Sequence, residues 1–134
     1  MKAATDATTR IVKLRSYHSG LATMERLESL LKKRGLTVFA RIDFSGDAER
    51  VGLSMGFEQL LIFGNPRAGT PLMLAVPTVG LDLPLKALVW EDDTGTAWLA
   101  YVEPGHLVAR NGLPPELAEN LAAVLPVLES AIAG

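Results

Sequence analysis

Residues 60–73 read LLIFGNPRAGTPLM, and residues 85–103 read LKALVWEDDTGTAWLAYVE. These two stretches decide the fold. Gln59 to Phe63 is short and almost continuously apolar, as a strand buried on both sides would be. Gly64 to Gly69 reads as a loop, and Thr70-Pro71 as the N-cap and first position of a helix that Pro77 ends. PTVGLDLP (77–84) is an irregular crossover. Leu85–Glu91 and Thr96–Glu103 form a hairpin around the turn Asp92-Asp93-Thr94-Gly95. Placing Glu91 opposite Thr96 groups Lys86, Leu88 and Trp90 with Ala97, Leu99 and Tyr101. The other face then holds Ala87, Val89 and Glu91 with Thr96, Trp98 and Ala100. Both faces are apolar, with a tryptophan on each, whereas a ribbon wet on one side alternates apolar with polar. Each face therefore needs a cover. Helices of this chain supply one; the other is a further layer of the same chain or a second copy of it.

Outward from this centre, residues 1–8 are small and polar and are expected to be disordered. Thr9–Tyr17 reads as a strand. A helix follows, capped by Thr23, with Met24, Leu27, Leu30 and Leu31 on one face and Gly35 where a left-handed residue stops it. Leu36–Asp43 is a strand with Val38, Ala40 and Ile42 on one face. Asp47 caps a short helix through Val51. Beyond the hairpin come a short helix, Pro104–Arg110, and a long one from Pro114 or Pro115 to Ile132. Pro126 kinks or breaks the latter, because it removes the bond to the Ala122 carbonyl. The whole of 1–134 is one domain, with 114–134 as a C-terminal helical extension. The fold class is α+β: a curved antiparallel sheet with helices packed on one face.

Composition narrows the function. At 134 residues the chain can bury a core without disulfides or metal. It has no cysteine, which removes thiolate nucleophiles and cysteine metal sites. A net charge of −2 and a pI near 5.7 argue against nucleic acid as a partner. No apolar run reaches the ~20 residues that span a bilayer, and the N-terminal residues do not form a signal peptide. A cytoplasmic protein with no membrane partner is expected.

The segment Gly64–Thr70 follows a strand and opens a helix, the setting of a phosphate loop. The lysine of that motif is missing, because Gly69 runs directly into Thr70. What remains is a set of free N–H groups, a helix start and Arg67, able to hold a carboxylate or phosphate. The bland alternative is a tight turn that needs glycine and asparagine for its geometry. Asn65, Arg67, Thr70, Lys86, Tyr101 and His106 are the candidate ligand-binding residues. His106, Glu103 and Tyr101, with Lys86, form a candidate acid–base set, against the commoner case of a solvated surface histidine. The acids Asp82, Glu91, Asp92, Asp93 and Glu103 suggest no metal site, since Asp92 and Asp93 suit turn chemistry alone. No nucleophile elbow is present and no cofactor is implied.

The motifs F-G-N-P (63–66), G-L-D-L-P-L-K (80–86) and V-W-E-D (89–92), with SGLATMERL (19–27) in support, give the chain a family resemblance. It is similar, from Thr9 to Leu113, to the bacterial and archaeal family known as domain of unknown function 302. The resemblance implies a TATA-binding-protein-like α+β fold and a homodimer. It implies no activity, and it leaves the C-terminal helix outside the shared region. Three readings follow: a homodimer binding a small anionic or apolar ligand beside the loop, a small enzyme using Glu103 and His106, and a structural interaction module without a pocket.

Overall fold

A computed structural model describes residues 3–134. Six strands form one open antiparallel sheet: β1 (Ala3–Thr5), β2 (Ile11–Arg15), β3 (Thr37–Asp43), β4 (Glu58–Gly64), β5 (Leu85–Glu91) and β6 (Ala97–Val102), in the spatial order β1-β2-β6-β5-β4-β3. The hairpin thus sits at the centre of the sheet, as its lack of a polar face requires.

Helix α1 (Gly20–Lys33) buries Met24, Leu27 and Leu31 on the sheet. Its cap is Ser19, not Thr23: the Ser19 hydroxyl accepts from Ala22 N–H at 3.1 Å. Thr23 lies one turn inside, where its hydroxyl donates back to the Ser19 carbonyl at 2.7 Å. Gly35, at φ +77°, ends the helix as its sequence position predicts. Helix α2 (Phe44–Arg50) is likewise capped one turn earlier than expected, by Asp43, whose carboxylate accepts from Gly46 N–H.

Helices α3 (Pro66–Ala75) and α4 (Pro104–Arg110) flank one end of the sheet, with α5 (Ala118–Ala122) between them and α6 (Leu125–Ile132) closing the chain. The break between α5 and α6 falls where Pro126 requires one. The C-terminal segment is not an appendage. Val127, Leu128, Ala131 and Ile132 are buried in the main core with α1, Leu61, Phe63, Val89 and Leu99. Arg26 of α1 clamps the end of α6, donating to the Ala131 and Ser130 carbonyls at 3.0 and 2.9 Å. A second cluster, built on Leu72, Val79, Leu107, Val108, Leu113 and Leu121, seals the end of the sheet.

Three further expectations need correction. From residue 3 onward the N-terminal stretch is ordered: Ala3–Thr5 pairs with β2, opposite Leu14 to Val12. Residues 1 and 2 lie outside the described residues. The hairpin register differs by one residue, with Glu91 opposite Ala97 and Trp90 opposite Trp98. A one-residue slip moves every side chain of a strand to the other face, so both tryptophans share a face with Lys86, Leu88 and Ala100. In β3 a bulge falls between Val38 and Ala40, leaving Phe39 without a direct partner. Val38 therefore faces the helices with Phe63, while Ala40 and Ile42 face the other way with Ile62 and Leu60.

Helices α1 and α6 cover only the face of Leu61, Phe63, Ala87, Val89 and Leu99. The opposite face carries rows across the strands: Ile42–Leu60–Leu88–Ala100–Lys13 and Glu58–Trp90–Trp98–Arg15. Among the described residues, no helix of the chain covers this second face of the ribbon.

Candidate functional site

Asn65 starts α3 because its side chain can do what the helix end needs. Its Oδ1 accepts from Arg67 N–H at 3.0 Å, and its carbonyl accepts from the Ala68 and Gly69 N–H groups at 2.9 Å each. Pro66 follows at the first helical position, where its missing donor costs nothing. The helix therefore begins before Thr70, and Pro71 lies inside it. This removes the row of free amides expected between Gly64 and Thr70. Pro66 has none, and those of residues 67–69 are all bound to Asn65.

What the segment borders instead is a cavity of about 380 Å³. Its apolar walls include Leu36, Phe39, Met73, Leu83, Val124 and Val127, drawn from the start of β3, α3, the crossover and the C-terminal helices. The β3 bulge places Phe39 at this wall, a use of bulges that recurs beside binding sites; the residue is half exposed (52%). The Leu83-Pro84 peptide, which is cis, forms part of the rim. The polar lining is sparse: Arg34, Asn65, Thr70 and Asn120 carry its side-chain donors, and among the described residues no carboxylate lines it.

Of the six residues singled out in the sequence, Asn65 and Thr70 line the cavity and Arg67 does not. Lys86 is exposed on the sheet face opposite α1 and α6, its Nζ donating to the Pro84 carbonyl at 3.4 Å. Tyr101 is on the helix-covered face, where burial first, and then the charges of Glu129 and Glu103, raise its phenol pKa. His106 lies on α4, its backbone N–H bound to the Glu103 carbonyl. Glu103 is taken by Arg10 Nη2, at 2.6 and 2.8 Å from its two oxygens. Among the described residues no hydrogen bond joins the His106 ring to Glu103. The acid–base set is thus not assembled as a hydrogen-bonded unit.

The acids have other partners. Asp82 holds Arg110 Nε at 3.0 Å and Asn111 Nδ2 at 2.8 Å. Glu91 accepts from Gly20 N–H at 2.7 Å, fixing the start of α1. Asp92 organises the hairpin turn, accepting from Thr94 and Thr96 N–H, the Thr94 hydroxyl and Trp98 Nε1. Among the described residues, no group of three or more His, Asp or Glu side chains is arranged to hold a metal ion. Arg34, Phe39 and Asn120 of the cavity had no local signal, since nothing near them in sequence marks a site.

An open antiparallel sheet, helices on one face and a cavity at its end define an α+β domain. The family model described as Domain of unknown function DUF302 matches residues 12–132, and the chain belongs to that family. The match includes α5 and α6, so the shared region extends past Leu113 through most of the supposed extension. The crystal structure of an uncharacterized conserved DUF302 protein from Bacillus stearothermophilus superposes with a TM-score of 0.76. It is 24% identical, and the alignment covers 92% of this chain and 95% of that one. The chain is also 43% identical, over 103 residues, to Fluoride-specific ion channel FluC 1 of Brucella suis and to FluC 2 of Brucella melitensis. It spans about two fifths of those relatives, 41% and 38% of their lengths, while 77% of this chain is matched. No helix among the described residues is long and apolar enough to cross a membrane.

Proposed function

We propose that this chain is a non-catalytic ligand-binding domain that works as a homodimer and takes a small anionic molecule beside Gly64–Thr70. The cavity carries the reading. It has the size of small-molecule sites, which run from about 300 to 1,000 Å³, and an apolar lining with a few convergent donors and the cation Arg34. The test is a thermal-shift screen with phosphate, fluoride and small carboxylates, repeated on Gly69→Leu. Gly69 lines the cavity, and a methyl group in place of its hydrogen would lie 3.7 Å from Leu83, so leucine there fills the space. A ligand that raises the Tm of the parent and not of the variant supports the reading. If no anion shifts the parent, or the shift persists in the variant, the site is elsewhere or absent.

The homodimer is supported by the sheet face that α1 and α6 leave open. Its large apolar side chains, Ile42, Leu60, Leu88, Trp90 and Trp98 across four strands, are only half-buried within one chain, and a second copy would bury the rest. A two-fold axis running along the strands between β5 and β6 would lay this face on its copy. The row Glu58–Trp90–Trp98–Arg15 would then place Glu58 over the copy's Arg15 at each end, opposite charges meeting around an apolar centre.

The fluoride channels add a setting. The shared region in those relatives would be a companion to the ion path, because the conducting helices must lie in sequence this chain does not match. Fluoride is included in the screen for that reason. The reading includes a cytoplasmic location.

A further inference from the structure

Resting on the small-anion reading above, we infer that the ligand is an amphipathic monocarboxylate, its head group held by Arg34 and its alkyl chain lying between Phe39, Met73 and Val127. Three observations carry this. The cavity's lining is dominated by aliphatic and aromatic side chains, which suits a chain rather than a bare ion. A free inorganic anion has no apolar surface to bury there, and the amides that would have cradled it are bound to Asn65. Finally, among the described residues Arg34 is the one cation in the lining, and no acid opposes it.

Arg34 is also uncommitted. It sits at the C-cap of α1, where helix carbonyls often recruit a basic side chain. Here the backbone N–H groups of Arg34, Gly35 and Leu36 satisfy the Leu30, Leu31 and Lys32 carbonyls instead. Among the described residues the guanidinium has no ion pair or hydrogen bond, so its fork of donors is available to a carboxylate. Asn65 and Thr70 line the same cavity, and the Asn65 Nδ2 and Thr70 hydroxyl can complete the head-group contacts, because Asn65 uses only its side-chain oxygen to cap α3. Arg67 sits on the same segment but outside the lining, so the two arginines separate this inference from the broader one.

The experiment is calorimetric titration of the full chain with butyrate, hexanoate and octanoate, and with octanol as the uncharged partner. Affinity should rise about fourfold per added methylene while the cavity fills. Arg34→Ala should weaken octanoate at least about tenfold, as expected for loss of a charge-assisted bond. The same substitution should leave octanol unchanged, and Arg67→Ala should leave both unchanged. If short and long carboxylates bind equally, or Arg67→Ala removes binding while Arg34→Ala does not, this inference fails and the small-anion reading stands. If no carboxylate binds and the thermal-shift screen is also blank, both fail.

Discussion

Trp90 and Trp98 stand opposite each other in the β5–β6 ladder, their ring centroids 6.5 Å apart and their planes 21° from parallel. The stack lies on the sheet face that α1 and α6 do not cover. It is tied to the turn, because Trp98 Nε1 donates to Asp92 Oδ2 at 2.9 Å. Such a pair adds about 0.5–1.5 kcal/mol beyond burial, and it forms the apolar centre of the proposed dimer face.

Charge inversion tests that dimer directly. Arg15→Glu and Glu58→Arg should each raise the dimer dissociation constant, and the double variant should recover most of the loss. Leu88→Asp, in the middle of the same face, should raise it by about thirtyfold or more, as at a central hot spot. Sedimentation velocity reads all four, with circular dichroism confirming that helix content is kept. A parent that sediments as a monomer throughout the micromolar range would remove the dimer.

Asp92 sets an acid limit for the hairpin. Bonds from the Thr94 hydroxyl first and the Trp98 indole next, with the turn amides, lower its pKa from 3.8 to about 2. The folded state therefore favours the ionised form. This stabilisation is complete above about pH 4 and fades as pH falls toward 2. Asp92→Ala should lower Tm at neutral pH, and the gap from the parent should close across that window. A gap that stays constant from pH 5 to 2 would show that the carboxylate's charge is not the source.

The C-terminal helix should prove integral. Leu128 is 1% exposed within the main core, so Leu128→Ala should cost about 2–5 kcal/mol in urea unfolding. A loss under about 1 kcal/mol would return this segment to the status of an appendage.

Gly20 meets Phe57 so closely that a methyl group there would overlap the ring. Gly20→Ala should destabilise by about 1–3 kcal/mol through overpacking. Adding Phe57→Leu should recover part of that loss, because the clash is with a side chain. Equilibrium unfolding of the single and double variants separates this from a simple helix-propensity gain.

Much of the site was out of reach of a linear reading. Asn65 and Thr70 could be found because a strand, a glycine and a helix start adjoin there. Arg34 could not: it looks like an ordinary basic residue closing a helix, and only the packing of α5 against α3 and of α6 against α1 makes it part of a cavity wall. The grouping of His106 with Glu103 failed for a related reason, since Arg10, distant in sequence, takes the carboxylate.

The sequence by itself determined the element types of the main strands and helices after β1, the apolar stripe of α1, its stop at Gly35, the break at Pro126 and the fact that the central hairpin has no polar face. These follow from local propensity and periodicity, which neighbouring residues set. Tertiary structure decided the registers. Asp92 draws in the amides of Thr94 and Thr96 and lengthens the turn, so Glu91 meets Ala97 and both tryptophans fall on one face. Phe39 bulges out of β3, and Asn65 starts α3 ahead of Thr70. Each is a choice between near-equal alternatives a few residues apart that periodicity does not rank: side-chain caps settle the turn and the helix start, and the pairing of β3 with β4 settles the bulge.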